Sequence, residues 1–128
     1  MTKRTSFAEP GVLARLDEFR TLRDGWLEGR GRAPSPPGLD WLSNAFDHRY
    51  PDDLSPPYVY PTAEGGIQAE WTFGPWEITL EIDLDNHDGS WHALNLETDE
   101  QRTREIDLDD AKAWDWIANA IRRLCEER

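Results

Sequence analysis

Apolar residues in the first third of the chain recur at three- and four-residue steps. Val12, Leu16, Phe19 and Leu22, with Leu13 beside them, form one stripe and predict a helix. Two starts fit it: Glu9-Pro10, because proline at the first helical position sacrifices no needed N–H, and Ser6 with Glu9 at capping-box spacing. Gly25, Gly29 and Gly31 then predict a loop that ends the helix. Ser35 suits a helix cap, Pro36 the first helical position, and Leu39, Leu42, Phe46 and Tyr50 give a second apolar stripe. Pro51 and the Pro56-Pro57 pair mark its end.

From Tyr58 the period changes to two. Tyr58-Val59-Tyr60 predicts a short edge strand bounded by prolines. Ile67, Ala69, Trp71 and Phe73 alternate with Gln68, Glu70 and Thr72; Trp76, Ile78, Leu80, Ile82 and Leu84 alternate with Glu77, Thr79, Glu81 and Asp83. These are two amphipathic strands joined at Gly74-Pro75, and a two-residue turn would set Phe73 opposite Trp76 and Trp71 opposite Ile78. After a turn at Asp85 to Gly89, a third long strand runs from Ser90 to Leu96 and a short fourth from Arg102 to Ile106. Trp114, Ile117, Ala118, Ile121, Leu124 and Cys125 then fall on one helical stripe. Asp107 is its expected cap. Asp109 and Asp110 suit the positive helix start, and Arg122, Arg123 and Arg128 the negative end.

The pattern predicts an α+β fold: two N-terminal helices, an antiparallel β-meander of three to five strands, and a C-terminal helix packed on one sheet face. With 128 residues, no repeat and no long linker, 1–128 reads as a single domain. Seven tryptophans load this small chain with aromatic surface. Trp71, Trp76, Trp114 and Trp116 suit core and sheet packing. Trp26, in the Gly-rich loop, and Trp41, one residue off its stripe, are candidate aromatic anchors for a partner; Trp26 equally suits a plug folded back on its own loop.

Charge changes the picture most. The net charge is −12, yet residues 1–50 sum to +1 and residues 51–128 to −13. Within 51–110 sixteen acids meet only two bases, Arg102 and Arg104. That balance speaks against direct nucleic-acid binding and against an anionic membrane surface. No apolar run approaches the ~18 residues of a membrane span. The first ten residues hold no apolar signal region, and one cysteine fits a reducing compartment, so a cytoplasmic location is expected.

Candidate chemistry is sparse. Asp83 to Gly89 is rich in carboxylates, but neither register of a calcium loop places Gly and Glu where that loop needs them, so a hairpin turn is expected. His48, His87 and His92 do not have zinc spacing, and a composite site of Asp85, His87 and His92 has no recognised ligand pattern. Cys125 lies on the apolar stripe, which predicts a buried, inert thiol. Ser43, Ser55 and Ser90 lack a triad context, and no phosphate-binding glycine motif occurs. No catalytic residue, metal ligand or cofactor is assigned. Gly29-Arg30-Gly31-Arg32 reads as a flexible loop that pairs with the acidic sheet. The constellation left is Glu70, Glu77, Glu81 and Asp83, which project from one sheet face. It is either a solvated surface or a docking face for a basic protein.

The Trp26, Gly29 and Gly31 loop, the Ala33-Pro34-Ser35 that follows, Pro57, Val59 and Pro61, and Gly65-Gly66-Ile67 with Glu70-Trp71 resemble a set of uncharacterised bacterial small proteins. Those carry a Trp-Asp-Gly-x-Gly-Ala loop before a helix and a Gly-Gly-Val/Ile-x-x-Glu-Trp hairpin. Leu27 and Glu28 stand where that family has Asp-Gly. The resemblance covers residues 20–85 and implies no activity; such proteins look like parts of small gene cassettes, which is compatible with an antitoxin, immunity or inhibitor role. The leading expectation is therefore a non-catalytic acidic module, monomeric or homodimeric, that neutralises or escorts a basic protein. Two alternatives stand beside it: an inhibitor of phage-defence, CRISPR or nuclease machinery that imitates nucleic-acid charge, and a small enzyme or ligand-binding domain with a pocket between helices and sheet.

Overall fold

The hydroxyl of Thr21 donates to the carbonyl of Glu18, the acceptor an α-helix would offer to the N–H of Leu22. Leu22 turns to Phe19 O instead. In the computed structural model, which describes residues 11–127, the first apolar stripe is therefore split between α1 (Val12–Glu18) and a 3₁₀ turn over Phe19–Thr21. Both starts foreseen for this helix, at Ser6 and at Glu9-Pro10, lie outside the described residues; the cap seen is Gly11, which offers no side chain.

The glycine loop is not the flexible segment expected. Gly25, Gly29 and Gly31 adopt φ of +88°, +90° and +91°, where only glycine is unstrained. These turns let Gly25 N reach Gly31 O at 2.8 Å and let Leu27 and Arg30 exchange backbone bonds. Asp24 accepts from Ala33 N within the loop, and Arg32 N bonds Ala63 O, which ties the loop to the segment around Ala63.

α2 (Pro36–Arg49) begins as its sequence predicts, with Ser35 Oγ accepting from Gly38 N at 3.1 Å. Gly38 permits a close approach: a Cβ there would lie 2.6 Å from Leu84 Cβ. Five strands follow: β1 (Tyr58–Pro61), β2 (Ile67–Phe73), β3 (Trp76–Ile82), β4 (Asp88–Asn95) and β5 (Gln101–Asp107). They pair antiparallel in sequence order, a meander with β1 and β5 at its edges. Phe73 faces Trp76 and Trp71 faces Ile78, the register a two-residue turn requires.

α3 (Ala111–Glu127) closes the chain. Asp110, not Asp107, accepts from an N–H of its first turn, that of Lys112 at 2.9 Å. Asp107 instead receives Asp109 N at the end of β5, because the strand runs on to that residue and leaves it one turn short of the helix. The stripe of α3 is buried as patterned, except that Cys125 is only half-buried; it sits one residue round the helix from Leu124, at the margin of the contact.

All helices lie on the apolar side of the sheet. Trp71 of β2 meets Trp91 of β4 at a tilt, Trp91 meets Trp116 of α3 edge to face at 5.3 Å, and Phe46 of α2 meets Trp114 edge to face at 5.2 Å. Residues from all three α-helices, the 3₁₀ turn and all five strands join one hydrophobic cluster. Among the described residues no helix is long and apolar enough to cross a membrane.

Candidate docking face on the open side of the sheet

Among the described residues no helix covers the opposite face of the sheet. Strand register arranges its side chains in rows: Tyr60, Gln68, Glu81, Ser90 and Glu105; then Tyr58, Glu70, Thr79, His92 and Thr103; then Thr72, Glu77, Leu94 and Gln101. Each glutamate is flanked across the strands only by neutral residues. Glu70 faces Tyr58 and Thr79, Glu77 faces Thr72 and Leu94, and Glu81 faces Gln68 and Ser90. The spacing avoids the like-charge pairing that destabilises adjacent strands. The two-residue turn sets Glu70 against Thr79 and Glu77 against Thr72.

None of the side chains in these rows is a lysine or arginine. Arg102 and Arg104, the two bases of the acidic stretch, share the face of Ile106 and turn toward the helices. Arg102 lies over the Trp76 ring at 4.6 Å and reaches Glu127 of α3; Arg104 lies over Trp116 at 4.7 Å. Their parity with Ile106, an apolar residue two and four positions on, was the available signal. The same parity puts Glu105, absent from the predicted set, on the acidic face, where it accepts from Ser90 Oγ at 2.8 Å.

The predicted residues divide. Glu70, Glu77 and Glu81 are on the open face as expected; Glu70 is half-buried and accepts from Gln68 Nε2, whereas Glu77 and Glu81 are exposed and make no hydrogen bond or ion pair among the described residues. Asp83 stands beyond the end of β3 and works in the turn. Its Oδ1 accepts from the N–H of Asp85 at 2.8 Å and of Asn86 at 3.0 Å, and these bonds hold its carboxyl below the usual range. Next to it Asp85 pairs with Arg32 at 3.6 Å, an ion pair between the arginine loop and the acidic region.

Neither candidate anchor stands free. Trp26 is half-buried and donates to Arg32 O at 2.9 Å, so its ring plugs its own loop. Trp41 is half-buried, stacks on His87 at 3.8 Å and 4°, and donates to Asp109, which also meets His87 Nδ1 at 2.9 Å. This cluster joins α2, the β3–β4 turn and the start of α3. It takes His87 away from His92, whose Nε2 lies 3.0 Å from Gln101 Oε1, so the composite Asp85, His87 and His92 site does not assemble. Among the described residues no group of three or more His, Cys, Asp or Glu is placed to hold a metal.

No family model, curated protein or solved structure matches this chain.

Two open grooves lie on the acidic side of the sheet. One, of about 500 Å³, runs along the acidic end of the sheet between Arg32, Glu64, Glu81, Asp85 and Glu105. A second, of about 450 Å³, lies on the face beside Tyr60, between Gln68, Glu70 and Glu81. Tyr60 and its neighbour Tyr58 are the exposed aromatic residues of the edge, at 41% and 53%. They were read only as strand formers; their alternation with buried Val59 is what turns both rings to the open side.

Proposed function

We propose that this chain is a non-catalytic acidic binding module, whose open sheet face docks a protein with a basic surface and thereby neutralises or escorts it, as an antitoxin or inhibitor would. One observation carries the reading: a five-stranded face bears Glu70, Glu77, Glu81 and Glu105 with no lysine or arginine among them, while the arginines of the same strands are turned to the other side. A surface kept soluble by charge alone tolerates both signs interspersed. A face of one sign steers a partner of the other and speeds encounter.

The test is the double reversal Glu70→Lys with Glu81→Lys. The apolar face is untouched, so stability should stay within ~0.5 kcal/mol. In pull-down from the native host, followed by association kinetics at two salt concentrations, the variant should bind more slowly and lose most of its salt dependence. An unchanged rate and salt slope would reduce the face to a solvated surface.

A further inference from the structure

We propose that the feature this face reads on its partner is an arginine side chain, received in the groove beside Tyr60. The inference rests on the docking reading above and narrows it from a field of charge to one contact. The groove spans three strands. Tyr60, Gln68 and Glu81 lie side by side in one row, and Glu70 is the next residue along β2 on the same face. Gln68 Nε2 donates to one oxygen of Glu70, which orients that carboxylate, and Glu81 carries no ion pair among the described residues. Tyr60 forms a wall with its ring 41% exposed. Arg32, which lines the neighbouring groove, pairs with Asp85 and donates to Glu64 O.

An arginine fits such a site better than a lysine does. A guanidinium is planar, so one face can lie on the tyrosine ring while its N–H edges meet carboxylates on two neighbouring strands. An ammonium is a compact point charge with stronger hydration and no flat face, so it cannot stack flat on the ring while a planar fork meets two carboxylates. The groove, about 450 Å³ and open to solvent on the sheet surface, admits the end of a long side chain from a docked protein.

Fluorescence anisotropy with labelled oligoarginine and oligolysine peptides of equal length tests this on the intact protein. Wild type should prefer oligoarginine by roughly two- to fivefold, the worth of an exposed cation–π contact. Tyr60→Ala should abolish the preference and Tyr60→Phe should keep it. Glu81→Gln, which leaves the edge strand intact, should weaken oligoarginine more than Glu77→Gln, a charge loss on the same face outside the groove. Equal affinity for the two peptides, or equal losses from Glu81→Gln and Glu77→Gln, would overturn the arginine site and leave the docking reading standing. No binding of either peptide at low salt would overturn both.

Discussion

Trp114 and Trp76 are equally large and equally buried, yet they hold the core in different ways. Trp114 Nε1 donates to Leu108 O at 2.9 Å, and its edge meets Phe46. Trp76 Nε1 has no hydrogen-bond partner among the described residues, and its ring carries Arg102 instead. Trp114→Ala should cost ~3–5 kcal/mol in chemical denaturation. Replacing each by Phe should separate them: Trp114→Phe loses a hydrogen bond and should cost about 1 kcal/mol more than Trp76→Phe. Tyr50 gives a pH prediction. Burial pushes its phenol up from 10.0 to about 12, against the opposing hydrogen bond from Trp71 Nε1. Since the folded value exceeds the unfolded one, this contribution is complete below pH 10 and is lost as pH rises toward about 12. Ultraviolet titration of the folded protein should show one tyrosine ionising last, and Tyr50→Phe should remove that step. The identity of buried residues was legible in the periodicity; which of them lack or hold a polar partner was not, because a tryptophan's N–H is satisfied by whatever backbone the fold brings past it.

Elements whose signals are local were the most readable. Ser35, Pro36 and the α2 stripe specify their helix without help from the rest of the chain, and Ser35→Ala should lower stability by about 1 kcal/mol, seen as an earlier melting midpoint by circular dichroism. The β2–β3 hairpin was likewise legible, since alternation and a two-residue turn fix register together. The misplaced α3 cap shows the limit. Asp107, Asp109 and Asp110 are chemically equivalent as caps, and only the strand length decides that β5 uses the first and α3 the last. The glycine loop shows another. Its composition reads as freedom, but positive φ at three glycines is what closes its hydrogen bonds. Gly29→Ala leaves space for the methyl group yet strains the backbone, so it should destabilise without creating a clash, measurable as faster amide exchange at Leu27 and Arg30.

At the scale of the molecule, a charge of −12 is sorted rather than spread. Arg102 and Arg104 fasten β5 to α3 through Glu127 and Trp116, with Arg102 also lying over Trp76 of β3, while glutamates without an ion pair among the described residues occupy the far side. Self-repulsion of the acidic face should make added salt raise the melting midpoint, the reverse of its effect on partner association. The total charge was in the composition; its separation into two faces needed strand parity, which places Glu105 in the acidic set, and the end of β3 at Ile82, which leaves Asp83 in the turn. The order of the chain carries a consequence for biosynthesis. The meander pairs only sequence neighbours, so each hairpin can form soon after it leaves the ribosome. Its apolar side, however, is shared by α2, which precedes the sheet in sequence, and by the 17-residue α3, which follows it. Until those final turns emerge, Trp91 has no Trp116 against it and Phe46 no Trp114. Nascent chains stalled before Ala111 are therefore the stage at which this protein most needs a chaperone, and a premature stop there should send it to the insoluble fraction rather than merely weaken it.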